Sequence, residues 1–156
     1  MKEATLRDFF RGTVPAGTLA AELRESIEPL GVSGRRVLIQ DLPAGESLTV
    51  TSPMLIRLCD AVLADELPAP ALEIVSFAVM VSDHLRWDED DELVLRVLCD
   101  WASPDITFEL TPGNVGMFRD WLTGEVVPPS EPEVTTDTLS GWGFLKRTAK
   151  VRVPPS

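Results

Sequence analysis

The sequence predicts an all-α fold: a small bundle of about six helices, with one short β-hairpin or extended arm over residues 35–51 and an extended C-terminal tail. Three observations carry that expectation. Most of the chain repeats apolar residues every three or four positions, the period of a helix with one buried face. Proline and glycine stand where those repeats begin and end. Only "RRVLIQDLPAGESLTVTS" breaks the helical period.

The elements follow in order. "TLRDFFRG" reads as a first helix, with Thr5 as its cap, Asp8 three residues later as in a capping box, and Gly12 at its end. In "PAGTLAAELRESIEPLG", Leu19, Leu23 and Ile27 form one stripe that Pro29 and Gly31 stop. Val37-Leu38-Ile39 and Leu48-Thr49-Val50 flank "PAGE", whose Pro43 and Gly45 suit a tight turn, so this stretch reads as the hairpin. A two-stranded ribbon is marginal alone and must lie on the helices. "SPMLIRLCDAVLADEL" has Ser52 as cap and Pro53 in the first turn, with Met54, Leu55, Leu58, Cys59, Val62 and Leu63 on one face. "PALEIVSFAVMVSDHL" is apolar nearly all round and reads as the central helix. Leu93, Val94, Val97, Leu98 and Trp101 mark the next helix, closed by Ser103-Pro104. In "TPGNVGMFRDWLTG", Thr111 caps, Pro112 starts, Val115, Phe118, Trp121 and Leu122 face inward, and Gly124 ends.

This gives an acidic helical domain over 1–125, a Pro-rich linker over 126–140 and a basic aromatic tail over 141–156. Residues 6–15 and 118–128 echo one another ("LRDFFRGTVP", "FRDWLTGEVVP"), through duplication or through convergence of amphipathic helices ended by glycine and followed by proline.

The chain has 156 residues, 44% hydrophobic, enough for one domain with a real core. The longest apolar run, "ALEIVSFAVMVS", is too short to span a bilayer and contains Glu73, and "MKEATLRDFF" lacks the apolar region of a secretory signal. With two cysteines and no disulfide framework, the expected compartment is the cytoplasm.

Net charge is −11. Four acids and four bases follow Gly124, leaving 21 acids and 10 bases before it. The whole imbalance therefore sits on residues 1–124. Such a surface disfavours direct contact with nucleic acid and attracts a cation-rich protein, although acidity also serves solubility.

The most concentrated charge is Asp88-Glu89-Asp90-Asp91-Glu92, directly after Trp87. It does not fit a calcium loop: the sixth and twelfth positions from Asp88 are Leu93 and Cys99, where an EF-hand needs Gly and Glu. At the start of a helix, carboxylates oppose the positive end of the dipole, but one or two suffice. The excess points to a basic partner, with Trp87 able to receive Lys or Arg through cation–π contact.

Catalytic arrangements are not legible. Ser82-Asp83-His84 are consecutive and cannot converge as a triad, and no nucleophile elbow is present. His84 is the only histidine, Cys59 and Cys99 are 40 apart, and no glycine-rich phosphate loop occurs. The expectation is a non-enzyme with no metal and no cofactor. Trp142, Phe144 and Leu145 in the tail read either as anchors docking on the body or as a linear peptide for another protein.

Residues 53–125 add a resemblance. The order of "DEL", an apolar helix running into "SD", "WDEDDELV" and "LTPGNVGMFRDWLTG" looks like the small helical immunity proteins of the colicin D and self-protective colicin-like type. Segments 35–51 and 126–156 lie outside that resemblance. Such bacterial proteins neutralise a co-produced toxin by capping its basic, nucleic-acid-binding active site with acidic residues. The resemblance implies a toxin nuclease domain as partner, with Asp88, Glu89, Asp90, Asp91 and Glu92 as contacts and Trp87 as anchor. The alternative is an adaptor module, oligomeric or not, that presents its basic aromatic tail.

Overall fold

The structure, a computed structural model, describes residues 1–32 and 34–130. Six helices run as α1 (Glu3–Phe10), α2 (Ala16–Glu25), α3 (Ser52–Leu63), α4 (Ala71–Val81), α5 (Glu92–Ala102) and α6 (Pro112–Thr123). Four short strands accompany them: β1 (Ile27–Leu30), β2 (Gly34–Val37), β3 (Leu48–Val50) and β4 (Leu85–Trp87). The protein is therefore a helix-rich mixed α/β domain, and the all-α expectation is wrong. No helix among the described residues is long and apolar enough to cross a membrane.

Leu48–Val50 is a strand as expected, but it does not pair with residues 37–39 as a hairpin between 35 and 51. β1 pairs antiparallel with β2, Ile27 opposite Val37 and Leu30 opposite Gly34, while β3 pairs in parallel with β4, Leu48 opposite Leu85 and Val50 opposite Trp87. Pro29 explains the first difference. In a helix its ring would collide with the carbonyl of residue 25 and its missing N–H would break the ladder. Accordingly α2 ends at Glu25, where Ser26 Oγ donates to the Leu23 carbonyl at 2.7 Å, and Ile27 enters a strand. Gly31 turns the ribbon at φ 62°, a left-handed conformation that glycine adopts without a Cβ penalty. The "PAGE" turn exists, Glu46 N–H donating to the Pro43 carbonyl at 3.0 Å, but it joins no hairpin. It delivers Leu48–Val50 to β4 instead, and the α3–α4 pair is the crossover that a parallel connection requires.

Residues 38–40 continue past β2 alongside residues 1–3. Gln40 N–H donates to the Met1 carbonyl and Glu3 N–H to the Gln40 carbonyl, both at 2.9 Å. Glu3 thus opens α1, two residues before the expected cap, and Thr5 instead bonds Glu22 Oε1 at 2.9 Å.

Most of the core is built where helical spacing predicts, although Leu63, expected on the inward face of α3, is exposed and Met54 is half-buried. α3 packs along α6 and α4 along α5. Leu55, Leu58, Cys59 and Val62 meet Val115, Phe118, Trp121 and Leu122, all buried. Phe118 stands edge-on to Trp101, Phe108 and Trp121 at centroid distances of 5.2–6.1 Å, the tilted geometry that aromatic quadrupoles favour. Thr111 Oγ1 caps α6 by accepting from Asn114 N–H at 3.2 Å, and Gly124 closes it at φ 80°. Gly12 ends α1 in the same left-handed way at φ 79°, so the echo between the two segments shares a capping geometry. α4 is not buried all round: Phe77 and Val81, four residues apart, are 41% and 48% exposed.

Candidate functional site

The acidic run lies between β4 and α5, and its approach is fixed bond by bond. Where α4 ends, Ser82 Oγ accepts from the backbone N–H groups of His84 at 3.0 Å and Leu85 at 2.9 Å, turning the chain into β4. Leu48 N–H donates to the His84 carbonyl at 2.9 Å, and the β3 pairing carries the chain to Trp87. Leu85 is buried and Trp87 half-buried against the core, which anchors one end of the run. Trp87 therefore sits at the end of a strand.

Beyond it the five acids divide by role. Asp88 Oδ1 accepts from Asp90 N–H at 2.9 Å, and the Asp88 carbonyl accepts from Asp91 N–H at 2.9 Å, which makes a tight turn. Asp91 Oδ1 accepts from Val94 N–H at 3.1 Å and is the N-cap of α5. Glu92 is the first helical residue, placed to oppose the helix dipole. Asp88, Glu89, Asp90 and Glu92 are exposed, and Asp91 is half-buried.

Among the described residues, four arginines pair with acids outside the run. Arg7 pairs with Asp8 and Glu46, Arg35 with Glu73, Arg119 with Asp60, and Arg96 with Asp100 at 4.0 Å. Arg96 also stacks 5.0 Å from the Trp121 ring centroid and donates to the Pro129 carbonyl at 2.6 Å. Among the described residues, Asp88, Glu89, Asp91 and Glu92 form no ion pair. The arrangement presents negative charge beside an aromatic edge on a well-braced turn.

The residues weighed for chemistry are held apart by structural duties. Ser82 serves the turn, and His84 Nδ1 lies 3.1 Å from the Glu46 carbonyl oxygen. Cys59 is buried on α3, where loss of hydration and then the neighbouring Asp60 charge push its thiol up to about 12, the opposite of an activated nucleophile. Cys99 is half-buried on α5, and no disulfide joins the two. Among the described residues no three His, Cys, Asp or Glu side chains converge as a metal-holding group. Trp142, Phe144 and Leu145, with the rest of 131–156, lie outside the described residues.

One charged residue of the fold is missed by sequence reasoning. Glu3 is 0% exposed; its Oε2 accepts from Leu42 N–H at 2.9 Å, and Oε1 has no hydrogen-bond partner among the described residues. The available signal is its place on the stripe of Leu6 and Phe10, where an acid at helical spacing enters the core.

No family model, curated protein or solved structure matches the chain.

Proposed function

We propose that the chain is a non-enzymatic binding protein of immunity type, which blocks a cationic toxin domain with the acidic turn between β4 and α5. The observation that carries this reading is the pairing state of the turn. Asp88, Glu89 and Glu92 are held in water beside half-buried Trp87, and no base among the described residues neutralises them. Charge on a braced junction, left unpaired by any base among the described residues, raises the encounter rate with a positive partner, and an aromatic edge next to it supplies an anchor for Lys or Arg. The resemblance read over residues 53–125 supports the same partner class. The expected place of action is the cytoplasm, where a nuclease domain would meet its substrate.

The test is co-expression with a basic toxin domain encoded by the adjacent gene, followed by affinity measurement at low and high salt. The reading expects protection, a stable complex and an affinity that falls as salt screens exposed charge. The combined variant Asp88→Asn, Glu89→Gln, Glu92→Gln is expected to weaken the complex roughly 100-fold, taking about 1 kcal/mol for each exposed pair lost. No complex and no protection with that neighbour would overturn it.

A further inference from the structure

The β1–β2 ribbon has one edge closed and one edge open, and the difference can be read from its hydrogen bonds. Leu38 N–H donates to the Ser26 carbonyl at 2.8 Å. In an antiparallel ladder the bonded pairs alternate, so 28 with 36 and 30 with 34 are bonded, while 27 with 37 and 29 with 35 point their N–H and C=O groups outward. On the β1 side an outward residue is Pro29, which has no N–H and blunts that edge. On the other side Arg35, Val37 and Ile39 point outward. Among the described residues β2 has no neighbour but β1, and no hydrogen bond reaches the backbone of Ile39. Residues 34–36, 38 and 40 are exposed, and Val37 and Ile39 half-buried, so this edge lies open to solvent.

The open edge is also self-complementary. Its outward residues are symmetric about Val37. A two-fold axis there sets Arg35 opposite the second copy's Ile39 and Val37 opposite Val37, forming about six backbone hydrogen bonds, two for each bonded pair. Side chains agree with that register. Arg35 is already neutralised by Glu73. Arg36, across the ribbon from Glu28, would face the second copy's Leu38, so no arginine lies directly opposite an arginine, and the diagonal Arg36 pair has Glu28 beside each member. Leu38, 44% exposed, would meet its own symmetry mate on the diagonal. The result is a four-stranded sheet with Pro29 on both outer edges, so association stops at two copies. A lone ribbon is marginally stable and gains from such extension.

We propose that residues 35–39 form a self-association edge, pairing antiparallel with the same edge of a second copy about a two-fold axis at Val37. A contact of five residues a side is smaller than the roughly 1,200 Å² of a stable interface, so the dimer is weak and forms with rising concentration. This surface is separate from the acidic turn and does not depend on its function.

The test is sedimentation velocity of the full chain from micromolar to millimolar concentration, with amide hydrogen exchange at both ends of the range. Mass is expected to rise toward the dimer, and the amides of residues 35, 37 and 39 to gain protection at high concentration. Val37→Pro removes an outward donor and leaves the bonds to β1, and is expected to weaken dimerisation at least about tenfold. Leu38→Lys sets like charges opposite across the axis and acts in the same direction even if the proline variant fails to fold. Leu30→Lys, on an equally exposed residue at the ribbon tip, is expected to leave dimerisation unchanged. A chain that stays monomeric to millimolar concentration, or a dimer without protection at those amides or indifferent to Leu38→Lys, overturns the proposal. That includes the case in which the edge serves only another protein's strand.

Discussion

Asp91 and its acidic neighbours are adjacent in sequence but do different work, and stability measurements separate them. Asp91→Ala deletes the oxygen that accepts from Val94 N–H at 3.1 Å and leaves that donor without its cap. The usual cost is about 1 kcal/mol, within a range of roughly 0.5–2. For a domain of this size that corresponds to a fall of about 4 °C in Tm. Asp91→Asn keeps an accepting oxygen and is expected to recover most of the loss. The combined Asp88→Asn, Glu89→Gln, Glu92→Gln variant removes three charges and keeps an oxygen at position 88 for the Asp90 N–H. Glu92 gives up a favourable dipole interaction of about 0.3–1 kcal/mol, while relief of crowding among like charges acts in the opposite direction. The expected net change is within about 0.5 kcal/mol. Urea and thermal unfolding of the four proteins in one buffer measure all of this. A triple variant that loses as much stability as Asp91→Ala would show that these carboxylates are needed by the fold, and the case for a recognition surface would be lost.

Two further outcomes follow from buried groups. The unfolded chain releases the Cys59 proton from its ordinary value of 9.0, whereas the folded chain holds it to about 12, so this thiol makes stability fall as pH rises through that window. In a Cys99→Ser background, Cys59 is therefore expected to react with a thiol reagent at pH 8 only as fast as the protein unfolds; rapid labelling without denaturant would contradict its burial. Glu3→Gln keeps an acceptor for Leu42 N–H and is expected to retain most of the stability. Glu3→Ala orphans that donor and is expected to cost about 1–3 kcal/mol, measured by urea unfolding.

The helices were legible because each carries a local record of itself. α6 has its capping hydroxyl, its proline, four inward residues and its left-handed glycine within fourteen positions of sequence, and all of them act as the local rules dictate. The strands carry no such record. β3 and β4 are three residues each and separated by two helices, so their parallel pairing is decided by packing and not by period. β1 was hidden for another reason: Ile27 continues the spacing of Leu19 and Leu23, and the helical reading of that stripe overlooks the reach of Pro29 back to residue 25. Helix capping misled in the same way at α1, where Thr5 and Asp8 satisfy a motif that the chain does not use because Glu3 is drawn inward by Leu42.

The acidic run itself was visible in the sequence, but which of its members is committed to the fold was not, since that depends on where the backbone turns. Once Asp91 is assigned to the cap, Glu92 to the first turn and Asp88 to the turn that holds Asp90 N–H, Glu89 is left exposed with no hydrogen bond or ion pair among the described residues. Neighbouring like charges a few ångströms apart cost on the order of 1 kcal/mol in water, less in salt. Among the described residues, Arg7, Arg35, Arg119 and Arg96 pair with Glu46, Glu73, Asp60 and Asp100 and not with this turn. Like charge kept on a braced strand–helix junction is the arrangement on which the proposed recognition role rests. A positive surface brought against Trp87 and the turn would convert the repulsion into binding energy, and on the proposed function the triple variant changes stability little and binding strongly.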